Sequence, residues 1–148
     1  LLIGGNGRRM LTLAAQSADI VSINWNVRAG VVTAEAVSSG SDSPTDERIA
    51  WVRAAARDRF AALELHVQCY LLKITDRPLD AIASWCSALG AEIDPTTVTG
   101  SPYILAGSVQ QIIEKLLAMR ERWNISYVSF LDSQLAAAAE IVQRLRGQ

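Results

Sequence analysis

The sequence predicts an α/β fold organised on parallel strands, and three features carry that reading. The chain opens Leu1-Leu2-Ile3-Gly4-Gly5-Asn6-Gly7-Arg8-Arg9-Met10, a short apolar run that passes through glycines into a helical pattern. Ile20-Val21-Ser22-Ile23-Asn24-Trp25 reads as a second strand, so strand, turn, helix and strand form a βαβ unit with parallel strands and a right-handed crossover. Further on, Leu63-Glu64-Leu65-His66-Val67-Gln68-Cys69-Tyr70-Leu71 alternates apolar and polar positions, the period of a strand with two unlike faces. Strands spaced between helices in this way fit either an open doubly wound sheet or half of a (β/α)8 barrel.

Gly4, Gly5 and Gly7 lack a Cβ, so their turn is expected to take positive φ and to let the backbone approach a ligand. The first turn of the next helix points unpaired N–H groups outward, which favours an anion. The alternative is an ordinary tight βα turn. That helix runs over 8–17, with Met10, Leu11, Leu13, Ala14, Ala15 and Ala18 on its apolar face, and Asp19 ends it. Parallel strands place the Gly4–Gly7 turn and the Asn24–Asn26 end on one rim, where ligands usually bind.

Residues 38–46, rich in Ser, Gly, Asp and Pro, read as a loop from which Thr45 or Asp46 caps a helix. Ile49, Val52, Ala56 and Phe60 trace one face of it, leaving Arg48, Arg53, Arg57 and Asp58 on a solvated one. In the alternating strand, Glu64, His66, Gln68 and Tyr70 are expected on one side, with Leu65, Val67, Cys69 and Leu71 against helices. His66, the single histidine, reads as a packed, hydrogen-bonded residue. Pro78 opens a helix that passes Ile82, Trp85 and Leu89 to Gly90. Ser101-Pro102 marks a turn, and Ser108 with Gln111 forms a capping box before a long helix to about Trp123. Tyr127-Val128-Ser129-Phe130-Leu131 is a last short strand, and the alanine-rich 135–145 segment is the final helix, closed by Gly147. Four strands alternate with helices, with an extra helix between the third and fourth.

With 148 residues, half of them hydrophobic, the chain can bury the core of one domain. Fourteen Lys+Arg against fifteen Asp+Glu give a net charge of −1, and no basic run marks a nucleic-acid or membrane surface. A small-molecule substrate and protein partners remain. No apolar run approaches the ~20 residues that cross a bilayer, and no signal-peptide pattern opens the chain, so a cytoplasmic protein is expected. Cys69 and Cys86 read as reduced core thiols, and no metal-ligand motif is present. Because the sequence starts without methionine and already inside an apolar strand, a fragment is expected.

The run Leu2-Ile3-Gly4-Gly5-Asn6-Gly7-Arg8-Arg9-Met10-Leu11-Thr12-Leu13-Ala14-Ala15, followed by Ala18-Asp19-Ile20-Val21, resembles the central I-G-G, L-A-A and A-D segment of luciferase-like monooxygenases. Ser101-Pro102-Tyr103-Ile104-Leu105-Ala106-Gly107-Ser108 with Gln111-Ile112 is similar to the family's S-P…G-[ST]…Q-I segment, and Ile125-Ser126-Tyr127-Val128 resembles its last barrel strand. The F420-dependent branch is the nearest in look. This resemblance, which covers essentially the whole chain, implies a TIM-type (β/α)8 barrel of which residues 1–148 supply strands five to eight. The N-terminal half would be missing, since a whole barrel takes ~250 residues.

The resemblance further implies that Gly4, Gly5 and Gly7, with the amides of Asn6 and Arg8, hold the phosphate of F420 or, alternatively, FMN. The full-length parent would then be an oxidoreductase, moving hydride between substrate and ring or activating oxygen on reduced flavin. Asn24 and Trp25 would touch substrate or cofactor, the alternative being that they cap and pack the rim. Catalytic residues of the family lie mostly in the absent half, so none is assigned, and the fragment alone is expected to be inactive. Its expected partner is a second copy, in a homo-oligomer, or the missing N-terminal half-barrel. The competing reading is a non-enzymatic α/β interaction module, or a half-barrel that pairs with another chain. A Rossmann nucleotide-binding domain ranks last, because Gly4-Gly5-Asn6-Gly7 lacks G-x-G-x-x-G spacing and no acid closes the second strand.

Overall fold

A computed structural model describes residues 1–26 and 33–146. Strands β1 (Leu2–Gly5), β2 (Ile20–Ile23), β3 (Glu64–Gln68), β4 (Leu71–Ile74), β5 (Ile104–Gly107) and β6 (Ile125–Ser129) are separated by helices except where β4 directly follows β3. The helices are α1 (Arg8–Ser17), α2 (Ala34–Ser38), α3 (Asp42–Ala56), α4 (Pro78–Ala88), α5 (Val109–Trp123) and α6 (Leu135–Leu145). Strands β1-β2-β3-β6 form one parallel sheet in that order, and β4-β5 a separate parallel pair. Gly147, expected to close α6, lies outside the described residues.

The parallel α/β architecture is as expected, but six strands are present among the described residues where four were predicted. The alternating 63–71 run is two strands. Cys69 N–H still bonds Ser129 O of β6 at 2.9 Å, whereas Tyr70 N–H turns to Tyr103 O at 2.8 Å, which hands the chain over to β5. No glycine or proline announces this handover. No sequence pattern marks β5, because its four residues, with Ile104 and Leu105 fully buried, lie between a turn signal and the Ser108 capping box.

The predicted 38–46 loop is also corrected. Ser41 is the N-cap of α3 and Asp42 its first residue. Pro44 is the third, where the missing N–H has no intrahelical acceptor to lose. Neither Thr45 nor Asp46 caps the helix: Thr45 Oγ1 donates to Ser41 O at 2.8 Å from inside it, and Asp46 accepts from Arg122 and from the Trp123 indole. The turn-forming residues of this stretch are equally helix-starting residues.

One face of the main sheet carries the core. Val21, Leu65 and Val67 are fully buried there beneath Leu11, Ala14 and Ala15 of α1 and Val52 of α3. Each aliphatic side chain so buried stabilises the fold by ~1.5–3 kcal/mol. The alternation of β3 falls as predicted, with Leu65, Val67 and Cys69 buried in the core and His66 and Gln68 opposite.

That opposite face holds, in register, Gly4 of β1, Ser22 of β2, His66 of β3 and Tyr127 of β6. Tyr127 is 39% exposed, and the face stays open although parallel sheets are ordinarily covered on both sides. Apart from Leu79 of α4, the exposed large apolar side chains gather at the sheet's two flanks. Leu1, Leu2, Met10 and Leu13 lie on the β1–α1 side; Leu117, Tyr127, Leu131, Leu135 and Val142 lie around β6. Among the described residues, no helix is long and apolar enough to cross a membrane.

Candidate functional site

An open cleft of about 660 Å³ lies over the open face, at the C-terminal ends of β1, β2 and β3. Its rim is the turn Gly4-Gly5-Asn6, its floor is Ser22 and His66, and Trp25 and Tyr70 line one side. An apolar groove of about 300 Å³ between α5, β6 and α6 has only Arg120 and Ser126 as polar lining. The cleft, where polar groups converge, is the better candidate site.

The turn is open for a reason other than the one expected. None of its glycines has positive φ; Gly90 and Gly107 are the described glycines that do. Gly5 is required by space, and Gly4 sits close against the Asn24 side chain and Ser22 Cβ. A Cβ on Gly5 would stand 2.5 Å from Met10 Cγ and 2.8 Å from Met10 Cβ, and one on Gly4 would stand 2.9 Å from Asn24 Nδ2. Gly7 meets nothing within 4 Å and is the N-cap of α1, with extended backbone. No side chain caps α1 and no acid lies in its first turn, so the amides at its start face outward unpaired.

Asn6 is not left-handed either. Its Nδ2 donates to Trp25 O at 2.9 Å and to Asn26 Oδ1 at 3.2 Å, which ties the turn to the end of β2. Arg48 completes the clamp: Nε donates to Asn6 O at 3.2 Å and a terminal nitrogen to Ser39 O at 2.5 Å. This overturns the solvated face predicted for Arg48, which is only 6% exposed. Among the described residues, no carboxylate pairs with it. The signal was available: Thr45, Arg48, Ile49 and Val52 follow the i, i+3, i+4, i+7 stripe of a buried helix face.

Of the other residues expected at the site, Arg8 opens α1 and is exposed. Asn24 borders the cleft and accepts from Ser22 Oγ at 3.0 Å. Trp25 is 1% exposed, with ring centroids 4.3 Å from Tyr70, 5.6 Å from Tyr103 and 5.8 Å from Trp85. It is therefore part of the wall rather than a side chain reaching into the cleft. Gly40 makes room for it, since a Cβ there would collide with Trp25 Nε1 and stand 2.8 Å from Tyr103 Cδ2.

The sequence did not reveal a polar row across the open face. His66 bonds Ser22 Oγ through Nδ1 at 2.7 Å and Ser129 Oγ through Nε2 at 2.8 Å. Ser129 Oγ donates to Gln68 Oε1 at 2.9 Å. Burial lowers the His66 pKa against the opposing charge of Glu64, and burial raises that of the Tyr70 phenol. Two strongly shifted groups have structural surroundings instead. Burial pushes the Cys69 thiol up to about 12 and Lys115 down to about 8, the latter donating to Thr99 O and Ile104 O. No cluster of His, Cys, Asp or Glu among the described residues could hold a metal ion.

No protein-family model matches this sequence, and no curated protein matches it. Its fold is similar to that of coenzyme F420-dependent tetrahydromethanopterin reductase from Methanopyrus kandleri, with a TM-score of 0.57 and 12% identity over 95% of this chain and 48% of that one. Long-chain alkane monooxygenase (LadA) is similar too, with a TM-score of 0.57 and 11% identity over 98% of this chain and 40% of that one. The chain thus spans about half the length of these structures or less. At such identities the likeness is one of fold: the parallel sheet and its helices correspond to part of a TIM-type (β/α)8 barrel.

Proposed function

We propose that this chain is the C-terminal half of a luciferase-like oxidoreductase barrel, and that the Gly4–Gly7 turn receives the phosphate of F420 or, alternatively, FMN. The observation that carries this reading is the uncapped start of α1, directly after the glycine turn, with the buried Arg48 charge beneath. Helix amides and dipole favour an anion there, and no acid of the first turn opposes it. Gly4, Gly5 and Gly7 would let the phosphate approach closely. The amides of Asn6 and Arg8 would donate to it, while Asn6 and Arg48 hold the turn in shape. Bound cofactor would supply the hydride-transfer chemistry. Asn24 would offer a hydrogen-bonding group to substrate or cofactor, and Trp25 with Tyr70 would exclude water from one side of the cleft.

The open sheet face and the two apolar flanks support a partner that completes the barrel, either the N-terminal half or a second copy. A cytoplasmic location suits such an enzyme. Titrating F420 and FMN while following fluorescence and melting temperature tests the proposal: saturable stabilisation by either cofactor supports it. Stabilisation by neither, in a chain that associates through its flanks, would favour the non-enzymatic half-barrel module instead.

A further inference from the structure

Gln68 determines where protons lie on the open face. Its Nε2 donates to two backbone carbonyls, Cys69 O and Ser129 O, each at 3.1 Å, bonds that an amide oxygen could not make. Oε1 is therefore the atom facing Ser129 Oγ at 2.9 Å, and Ser129 gives its one hydroxyl hydrogen to it. Ser129 Oγ can then only accept from His66 Nε2 at 2.8 Å, so Nε2 carries a hydrogen in either charge state. Nδ1 is the nitrogen that titrates, and it lies 2.7 Å from Ser22 Oγ.

Ser22 has a single hydrogen and two neighbours, His66 Nδ1 and Asn24 Oδ1 at 3.0 Å; in the structure Ser22 Oγ donates to Oδ1 and Asn24 Nδ2 lies beside Gly4. With a neutral ring, Ser22 donates to Nδ1 and must accept from Asn24 Nδ2, which turns Oδ1 away from Ser22. With a protonated ring, Nδ1 donates to Ser22, whose hydrogen passes to Asn24 Oδ1, and Nδ2 then stands beside Gly4. We propose that His66 is the proton-carrying residue of the cleft. Ser22 relays its charge state to Asn24, which presents a donor beside the glycine turn when the ring is protonated and an acceptor when it is neutral.

The ligand side of this inference rests on reading the turn as an anion site. A phosphate-bearing ligand is served by donors, so its binding draws one proton from solvent onto Nδ1; no other bond is made or broken, and Ser22 and the Asn24 amide rotate. Few groups face the ring. Glu64 lies on the same strand and the Tyr127 ring of β6 packs against the imidazole, tilted at 60° with centroids 4.6 Å apart, while β2 offers Ser22 and Asn24 and β1 offers Gly4. Burial lowers the ring's pKa from 6.5, which favours the neutral form, whereas the Ser22-to-Asn24 Oδ1 bond of the structure is the arrangement the protonated ring requires, so the Asn24 amide must turn over when the ring is neutral.

His66 is the single histidine, so nitrogen-15 imidazole labelling gives one ring to follow by NMR. The neutral ring is expected as the Nε2–H tautomer. The Asn24 side-chain amide resonances should titrate with the His66 midpoint, a response that Ser22→Ala removes without altering the tautomer. FMN should raise that midpoint, and its affinity should fall about tenfold per pH unit above the free-protein midpoint, a slope that Ser22→Ala flattens. An Nδ1–H tautomer, or an Asn24 amide indifferent to the His66 titration, overturns the relay with no ligand involved. FMN that binds with no pH slope while the relay operates overturns the coupling. FMN that fails to bind at any pH defeats the anion reading, and the Asn24 titration still decides the relay.

Discussion

Replacing Gly5 with alanine puts a methyl group where helix α1 already stands. The new Cβ would lie 2.5 Å from Met10 Cγ and 2.8 Å from Met10 Cβ. The Cγ contact can be relieved by rotating χ1, but Met10 Cβ is held by the helix backbone, so the first turn of α1 must shift. Overpacking of this kind costs ~1–3 kcal/mol. Gly5 has no positive φ to add strain, and the stiffer unfolded chain of alanine offsets ~0.4–1 kcal/mol. The net loss is then about 1 kcal/mol, or about 3 °C in melting temperature for a chain of this size. Gly7→Ala is the control, since its Cβ would meet nothing within 4 Å, and a change within about 0.5 kcal/mol is expected. Urea denaturation measures both, and Met10→Ala in the Gly5→Ala background should recover part of the loss by removing the Cγ contact. A Gly5→Ala chain as stable as the parent, or a larger loss in Gly7→Ala, would refute the packing argument.

Arg48→Met should cost about 2–3 kcal/mol in denaturation, because it removes two charge-assisted donors and strands the carbonyls of Asn6 and Ser39. It should also weaken cofactor binding, since the turn loses its clamp. The Trp123 indole N–H, joined by Arg122 and opposed by burial, holds the Asp46 carboxyl below its usual 3.8. Stability from this depressed group is present above pH 3.8 and lost as pH falls further, through the folded value; Trp123→Phe should flatten that acid limb in pH-dependent denaturation, and an unchanged slope would refute the assignment. Sedimentation of the isolated chain should show association through the open sheet edges and exposed apolar flanks, whereas a sharp monomer with cooperative unfolding would mean the open face is satisfied in some other way.

Local signals made much of the fold legible. The first βαβ unit and the Ser108–Gln111 capping box are written within a few residues of themselves, and the structure has both. The β3–β4 break was not legible, because the same alternation runs through two strands whose separation depends on Tyr103, more than thirty residues away. At the site, glycines at 4 and 5 mark a close approach, but their reason is the crowding of Met10 and Asn24, a tertiary fact. Arg48 looked solvated because arginine usually is, though its helical position placed it inside. The His66 row could not be read at all, since its serine partners lie 44 and 63 residues away.

FMN and riboflavin differ by one phosphate, and comparing their binding to the chain tests the glycine turn most directly. If the turn with α1 and Arg48 holds that phosphate, FMN should bind at least tenfold more tightly than riboflavin, a difference of about 1.4 kcal/mol that Gly5→Ala reduces. F420 should show the same preference over its phosphate-free deazaflavin core. Equal binding of FMN and riboflavin, or an FMN preference untouched by Gly5→Ala, would contradict the assignment of the Gly4–Gly7 turn as the phosphate site.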